Sequence, residues 1–461
     1  METSGIYSGV STKSSRFIVE DRSTRVPPRR LMFIITRRTI RHSFKPERID
    51  KVGITDIAMG RLLPFTPQPQ PLPDVFYGLP TLDLLLPHPP PIQKLARLSA
   101  HLSEVLPATH SKHAGVSSNG NKPQAPKTTV FAYRDDLCSN LSPAGNKLRK
   151  LVYVIPHAFA QSDAPVTHLV TEGGVQSNCC RQTAMVAARL GLKCVAVLSD
   201  AVKHKPDEEL YATTGNVQLE KLLGTEVRQL DSSGASGSEA KQTQAIVDEI
   251  NAKKGQRAFF VPTGASLTPL GGMGYAHWVF ELLQQEAQMR HDGKLGGSGR
   301  FDVIVVACAS GSTLAGMVAG MRLAEKTGWA DASARRRIVG VETFAKPVAD
   351  QHELVLRIAR STATLLGMKE SDITPDDVDI DDRWAAGAYG LCDKRTQRTL
   401  KTLARTEALF LDPVYTGKAM TAVLEGVSSR EMVGNVLFLH TGGQAALSAY
   451  PGVESDDWPM H

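Results

Sequence analysis

The sequence has no apolar run long enough to span a membrane. A spanning helix needs about 20 predominantly apolar residues, whereas the longest continuous apolar segments, such as residues 303–307, have the length of a buried β-strand. The chain has 461 residues, of which 42% are hydrophobic, and this is enough to build a sizeable core or two domains. A water-soluble protein without a membrane partner is therefore expected.

Cysteine is scarce, and its spacing excludes the common metal and redox motifs. No pair has CxxC spacing, and no histidine pattern typical of zinc accompanies the cysteines. We therefore predict no metal site, a reducing compartment such as the cytoplasm, and free thiols. The six cysteines are Cys138, Cys179, Cys180, Cys194, Cys308 and Cys392.

Excess positive charge is missing from the body of the chain. The net charge is +6, but residues 1–50 carry eleven Lys and Arg against five Asp and Glu, so the rest of the chain sums to zero. A basic nucleic-acid-binding face on the body is thereby disfavoured, and no nucleic-acid partner is expected. The basic arm is either a mitochondrial targeting segment, since such segments are rich in arginine and poor in acids, or an extension without a role. Its five acidic residues favour the extension.

Beyond this arm, the chain changes from a proline-rich segment to alternating strands and helices. Residues 61–91 contain ten of the 27 prolines, and this favours an extended linker because proline has no backbone donor. From residue 128, short Val- and Ile-rich runs alternate with helical patterns. Continuous apolar runs of this kind are typical of parallel strands covered by helices on both faces, so an α/β fold is predicted.

Lys147 is the first candidate catalytic residue. A lysine can form a Schiff base only when part of its population is neutral, which requires burial or nearby positive charge to lower its pKa. Arg149 and Lys150 are expected to supply that charge. The alternative is that this basic run at the start of a helix is a solvated face.

A loop of small residues at 309–316 indicates a phosphate site. It follows a predicted strand and opens a helix, where unpaired N–H groups and the helix dipole suit a phosphate dianion. The loop matches neither GxxxxGK[ST] nor GxGxxG, so a smaller ligand such as pyridoxal phosphate is favoured. The alternative is an ordinary tight turn with Ser and Thr caps. The candidate residues are Ser310, Gly311, Ser312 and Thr313.

Polar side chains also follow two other predicted strands. Gln176, Ser177 and Asn178 lie after a Gly-Gly pair and before a helix, and ligands of open α/β sheets bind at this edge. Their side chains suit a carboxylate or a ring oxygen, although Ser177 or Asn178 could simply cap the helix. Thr441 follows the last strand, and its hydroxyl could meet a ring nitrogen.

Tyr389 and Tyr415 lie in turn-forming contexts. Two tyrosines on loops could flank a cofactor ring or move a proton, while each one alone is more typical of packing.

Taken together and in this order, the motifs resemble the pyridoxal-phosphate enzymes of the tryptophan-synthase-β-like fold. Within them, the chain is similar to the group that contains 1-aminocyclopropane-1-carboxylate deaminase and D-cysteine desulfhydrase. The resemblance covers about residues 91–450 and rests on residues 133–136, 145–151, 173–181, 215–216, 270–274, 310–316, 412–418 and 440–443.

The resemblance implies two open, mostly parallel twisted sheets with flanking helices in a larger and a smaller domain. It also implies an amino-acid substrate and a homodimer. The expected segments are a disordered extension at 1–85, a larger cofactor-binding domain at 86–150 and 263–461, and a smaller α/β domain at 151–262.

The resemblance further implies roles for the candidate residues. Lys147 would bind pyridoxal phosphate as a Schiff base, and Asn178 would contact the ring oxygen. Tyr389 and Tyr415 would be the two active-site tyrosines. The phosphate would be held by Lys150, Ser310, Gly311, Ser312 and Thr313, the ring would also meet Thr441, and the substrate would meet Gln176, Ser177, Asn178 and Thr416.

The choice between the two activities depends on Thr416 and Thr441. Cyclopropane-opening sequences generally carry a glutamate and a leucine at these positions, and a glutamate can keep the ring nitrogen protonated. A neutral threonine favours the easier α,β-elimination from D-cysteine, or a related β-substituted D-amino acid, to pyruvate, hydrogen sulfide and ammonia. The alternative is 1-aminocyclopropane-1-carboxylate deamination to 2-oxobutanoate and ammonia. Either Lys147 or Ser177 could be the base, and retention of Ser177 and both tyrosines disfavours a non-catalytic carrier.

Overall fold

A computed structural model describes residues 71–105, 128–161, 164–200, 202, 205–230 and 238–457. The basic arm and its targeting interpretation lie outside these residues. Within them, no helix combines the length and apolar character needed to cross a membrane.

The described chain contains alternating strands and helices from residue 128 onward. The strands are β1 (Ile92–Lys94), β2 (Thr129–Tyr133), β3 (His168–Gly174), β4 (Lys193–Ser199), β5 (Glu226–Gln229), β6 (Ala258–Val261), β7 (Val303–Cys308), β8 (Arg337–Glu342), β9 (Asp379–Asp381) and β10 (Asn435–Leu439). The helices are α1 (Ala96–Val105), α2 (Asn146–Ala160), α3 (Asn178–Leu190), α4 (Glu208–Thr213), α5 (Gly215–Leu222), α6 (Ser238–Asn251), α7 (Met273–His291), α8 (Ser312–Lys326), α9 (Val348–Leu365), α10 (Lys394–Glu407) and α11 (Thr416–Ser428).

These strands form two separate sheets. The larger sheet has the order β1-β2-β10-β7-β8-β9 and is parallel except for β1. The smaller sheet has the order β5-β4-β3-β6 and is parallel throughout. The predicted fold class is confirmed. Each sheet draws its strands from one of the two predicted domain segments, while the exact domain boundaries stay a prediction.

The central strands were predictable because both of their faces are buried. All five residues of β10 are buried between β2 and β7, with Val436 opposite both Val130 and Val303. Such a strand favours apolar residues, and β10 is apolar after its first residue. The helix after β3 ends as the sequence indicates, since Gly191 adopts the left-handed conformation (φ 70°) and caps α3.

Three short strands, β1, β5 and β9, have no strong sequence signal. Each has three or four residues and lies at an edge of its sheet. Edge strands expose one side to solvent and tolerate charge, as the sequences Ile-Gln-Lys and Asp-Ile-Asp of β1 and β9 illustrate.

Part of the segment that the sequence assigns to a disordered extension packs into the core. Phe76 and Leu84 are buried, and the Phe76 ring lies 5.0 Å from His277 and 5.4 Å from Phe280, centroid to centroid. The described residues 71–85 therefore belong to the folded body. The other residues of the predicted extension lie outside the described part of the chain.

Candidate active site

A cleft lies where helices α2, α3 and α8 begin. Parallel strands direct their carboxyl ends, and the helices that follow them, to one edge of a sheet. The cleft brings together most of the predicted site residues: Lys147, Ser177, Asn178, Ser310, Gly311, Thr313, Tyr389, Tyr415 and Thr441. Four predicted residues are not in its lining: Lys150, Gln176, Ser312 and Thr416.

Lys147 is half-buried in this cleft, at the start of α2. Burial lowers the pKa of its amine from the ordinary lysine value because a charged form loses its hydration there. Burial at this position therefore increases the fraction of neutral amine, which Schiff-base chemistry requires.

Arg149 does not supply the expected positive charge. Its Nε atom donates to Asp135 Oδ1 at 2.5 Å, and its Nη1 lies 2.9 Å from Glu281 Oε2. The guanidinium is thus neutralised by two carboxylates, and the part of the prediction that relied on it is wrong.

Lys150 is fully buried beneath the cleft instead of lining it. Its Nζ donates to the carbonyl oxygen of Gly264 at 3.1 Å. Burial, and then the adjacent Lys147, lower the pKa of Lys150 well below the ordinary value. Lys147 thus disfavours the charged form of Lys150. The side chain of Lys150 therefore supports the loop at Gly264.

The loop between β7 and α8 has the form of an anion site. Gly311 lies at the N-cap position with φ 87°, and no side chain caps α8. The N–H groups in the first turn of a helix have no acceptor within the helix. In α8, which has 15 residues, these groups are available to an anion. The alternative of an ordinary turn capped by Ser or Thr side chains is therefore disfavoured.

A second loop completes this cradle. Ser266 Oγ hydrogen-bonds to Ser310 Oγ at 2.7 Å and to Ser312 Oγ at 2.8 Å. Gly264 has φ 69°, and a Cβ there would collide with the Ser310 side chain. Ser312 is fully buried in this hydroxyl chain, so its side chain braces the loop, and only its backbone position is available to a ligand at the helix start.

The segment between β3 and α3 performs two functions. Ser177 Oγ accepts a hydrogen bond from Cys180 N at 3.2 Å and caps α3, so the capping alternative is correct, and Ser177 also lines the cleft. Gln176 differs from expectation. Its amide nitrogen donates to Tyr211 O at 2.6 Å and Thr214 O at 3.0 Å, which uses both of its hydrogens and leaves no donor for a substrate carboxylate.

The two tyrosines meet in the cleft. Their hydroxyl oxygens lie 2.8 Å apart, and the Tyr389 ring stacks on Phe344 at 4.0 Å between centroids. Burial raises the pKa of Tyr389 to about 12 and that of Tyr415 well above its ordinary value. Both hydroxyls are therefore protonated at neutral pH and can hold or pass a proton.

Thr416 lies behind the cleft, bonded to Asp412. Its hydroxyl donates to Asp412 Oδ2 at 2.5 Å and accepts from Asp412 N at 2.8 Å. Asp412 itself lines the cleft, as does Thr441. The carbonyl oxygen of Thr441 accepts from Asn146 N at 3.1 Å and joins the end of β10 to the start of α2.

Sequence reasoning missed several cleft residues that a signal already used could have found. Cys308 ends β7, and Phe344 follows β8 by two residues. The carboxyl-edge argument applied to Gln176 holds equally for both. Asp412 belongs to the same short motif as Tyr415, but a buried carboxylate so close to a tyrosine was not considered.

A protein-family model described as "Pyridoxal-phosphate dependent enzyme" matches residues 124–442. The chain belongs to this family. The cofactor prediction is confirmed, and the cleft fits the group: it offers a lysine with a lowered pKa and a glycine-lined helix start for a phosphate.

Two relatives in particular show how far the similarity extends. The chain is 39% identical over 365 residues to "1-aminocyclopropane-1-carboxylate deaminase" of Ralstonia nicotianae, covering 78% of this chain and 94% of the relative. It is 38% identical over 326 residues to the "Probable 1-aminocyclopropane-1-carboxylate deaminase" of Schizosaccharomyces pombe, covering 70% and 89%. A solved structure titled "Crystal Structure Analysis of the ACC deaminase homologue" matches with a TM-score of 0.61 and 26% identity, covering 81% of this chain and 94% of that one.

These relatives overturn the D-cysteine prediction, and their names fit the alternative that the sequence left open. The physical reason lies at Thr416. The prediction assumed that a threonine there leaves the site without a carboxylate, but the Asp412 carboxylate lines the cleft and Thr416 hydrogen-bonds to it. The residue type at one position was therefore a poor guide to the charge of the site.

Proposed function

We propose that this chain is a pyridoxal-phosphate-dependent lyase that deaminates 1-aminocyclopropane-1-carboxylate. With the uptake of one water molecule, the products are 2-oxobutanoate and ammonia. The observation that carries the proposal is the alignment with deaminases of this name along about nine-tenths of their length. The described cleft supports it, because a lysine, a serine and a tyrosine pair line the same cleft.

The cofactor would be held by both halves of the cleft. Lys147 would bind it covalently, the start of α8 from Gly311 to Thr313 would receive its phosphate, and Asn178 would meet its ring oxygen. When bound, the group supplies an electron-withdrawing ring that stabilises negative charge on the carbon atoms next to the substrate nitrogen.

The side chains around that cleft would handle the protons. The lowered pKa of Lys147 increases the neutral fraction of its amine, and the neutral amine can accept a proton. The Ser177 hydroxyl accepts from Cys180 N, so its own hydrogen can point to a substrate carboxylate. Tyr415 and Tyr389 share a hydrogen bond and would pass a proton to a substrate carbon through the Tyr415 oxygen. Phe344, stacked on Tyr389, would help to exclude water.

The domain division, a homodimer and a cytoplasmic location are proposed with the function. The segregation of strands between the two sheets supports the domain division. The resemblance supports the homodimer, and the cysteine spacing supports a reducing compartment such as the cytoplasm. Sedimentation of the purified protein at micromolar concentration tests the dimer.

The test of the function is turnover of 1-aminocyclopropane-1-carboxylate by purified protein loaded with cofactor, measured as 2-oxobutanoate formed. We expect 2-oxobutanoate from the wild type and none from Lys147→Ala. A preparation that carries the cofactor and yields no 2-oxobutanoate would refute the proposal.

A further inference from the structure

Three side chains joined by hydrogen bonds lie beneath the cleft, and the last of them is Asn178. Arg181 Nε donates to Asn216 Oδ1 at 2.7 Å, and Asn216 Nδ2 donates to Asn178 Oδ1 at 3.0 Å. All three residues are buried, and Asn178 is the member that lines the cleft. These hydrogen bonds therefore connect the buried guanidinium of Arg181 to the cleft surface.

The chemistry of arginine sets a direction for the hydrogen bonds that connect these three side chains. A guanidinium has only donors, whereas an amide side chain could present either its oxygen or its nitrogen. Because Arg181 donates, Asn216 must turn its oxygen to Arg181 and its NH₂ group to Asn178. Asn178 must then turn its oxygen to Asn216, which leaves its own NH₂ group to face the cleft.

The backbone contacts of Asn216 support this orientation. Its Nδ2 also donates to the carbonyl oxygen of Gln176 at 2.8 Å, an acceptor that cannot reverse. Its own N–H donates to Gln176 Oε1 at 2.9 Å. Asn216 is thus held from three sides with its amide nitrogen toward acceptors.

We propose that Arg181 is a positioning residue that, through Asn216, fixes Asn178 as a hydrogen-bond donor toward the cleft. The group that meets Asn178 is then an acceptor oxygen, such as the ring oxygen of the cofactor in its anionic form. This inference rests on the cofactor contact of Asn178 in the proposed function.

A second contact extends the role of Arg181 to the lysine loop. Its Nη1 donates to the carbonyl oxygen of Pro143, four residues before Lys147. Nη2 has no hydrogen-bond partner within the described residues, and burying an incompletely paired guanidinium is costly. One side chain therefore holds both the asparagine and the loop that leads to the lysine.

Asn216→Asp tests the direction of the hydrogen bonds that connect these three side chains. An aspartate still accepts from Arg181, but it cannot donate to Asn178, so Asn178 must reverse its amide and present its oxygen to the cleft. We expect cofactor affinity to fall about tenfold to a hundredfold, the range for losing a hydrogen bond to a charged group. The visible absorption maximum of the bound cofactor should shift as well. Arg181→Met should act in the same direction, and Arg181→Lys, which keeps a donor, should retain more affinity.

Two further variants separate positioning from general damage. Asn435→Asp makes the same change at a buried asparagine whose side chain donates to Gly296 O and Arg300 O. It should leave cofactor affinity and absorption unchanged. In the Asn178→Ala background, Asn216→Asp should cause little further loss of affinity, because the effect passes through Asn178.

A folded Asn216→Asp variant with wild-type cofactor affinity and an unshifted absorption band would overturn the proposal. So would a loss of cofactor affinity on Asn216→Asp that is equal in the wild type and in the Asn178→Ala background. Cofactor affinity and absorption are measured without substrate. A failure of the proposed positioning role of Arg181 is therefore distinct from a failure of the deaminase proposal, which shows only in 2-oxobutanoate formation.

Discussion

Glu220 provides a sharp test of the buried charges behind the active site. Its side chain is fully buried, and neither carboxyl oxygen has a hydrogen-bond partner within the described residues. Burial raises the pKa of Glu220 to about 8, and the nearby Arg181 partly opposes this rise. At pH 7 the folded protein therefore holds Glu220 protonated, while the unfolded chain, with the ordinary value of 4.5, releases the proton.

The sign of the resulting pH dependence follows from proton binding. Below pH 4.5 both states are protonated, and Glu220 does not alter stability. As pH rises from 4.5 to 8, only the unfolded state loses the proton, so the free energy of unfolding falls by about 1.4 kcal/mol per pH unit. Above pH 8 the loss is constant, at about 3 to 5 kcal/mol in total.

Glu220→Gln removes this contribution because an amide does not titrate. Urea unfolding at pH 5, 6, 7 and 8 should show the variant gaining on the wild type by about 1.0 to 1.3 kcal/mol at each step. A constant offset from burying the amide leaves this slope unaffected. The exposed Glu209→Gln serves as the control for removing one carboxylate. Parallel curves for wild type and Glu220→Gln would refute the reasoning.

Three other substitutions test the site. Tyr415→Phe removes the hydroxyl that bonds to Tyr389, and kcat for 2-oxobutanoate formation should fall about a hundredfold with little change in KM, as for a lost proton-transfer group. Lys418→Met removes a buried ammonium that donates to three backbone carbonyls at 2.8 to 3.3 Å and should lower the free energy of unfolding by about 3 kcal/mol; denaturant unfolding checks this. Thr416→Val leaves Asp412 N without its acceptor and should destabilise the protein by about 1 to 3 kcal/mol, whereas Thr416→Ser should not; thermal unfolding of both variants decides.

The sequence predicts the fold well where one physical requirement acts on every residue of an element. A strand such as β10, buried on both faces, is apolar after its first residue, and the left-handed turn at Gly191 favours a residue without a Cβ atom. Elements at the edges escape this requirement. The strand β5, Glu-Val-Arg-Gln, carries no pattern that distinguishes it from a loop.

The direction of a polar side chain is the part that the sequence does not predict. Gln176, Lys150 and Ser312 have suitable chemistry and lie within a few residues of the cleft, yet each turns inward to bond a neighbouring loop. Those partners come from distant parts of the sequence, such as Gly264 and Tyr211. Residue type therefore predicts what a side chain can bind, and the tertiary partners determine whether its donors remain available.

The same distinction explains why the substrate prediction failed while the cofactor prediction held. The cofactor prediction rested on several motifs that must converge because parallel strands deliver them to one edge. The substrate prediction rested on two neutral residues, Thr416 and Thr441, and treated the lack of charge at these positions as the charge of the site. In the fold, Thr416 hydrogen-bonds to the carboxylate of Asp412, which reaches the cleft from four residues earlier. The charge of a pocket is a sum over all groups that face it, so a single substitution is informative only after its hydrogen-bond partners are known.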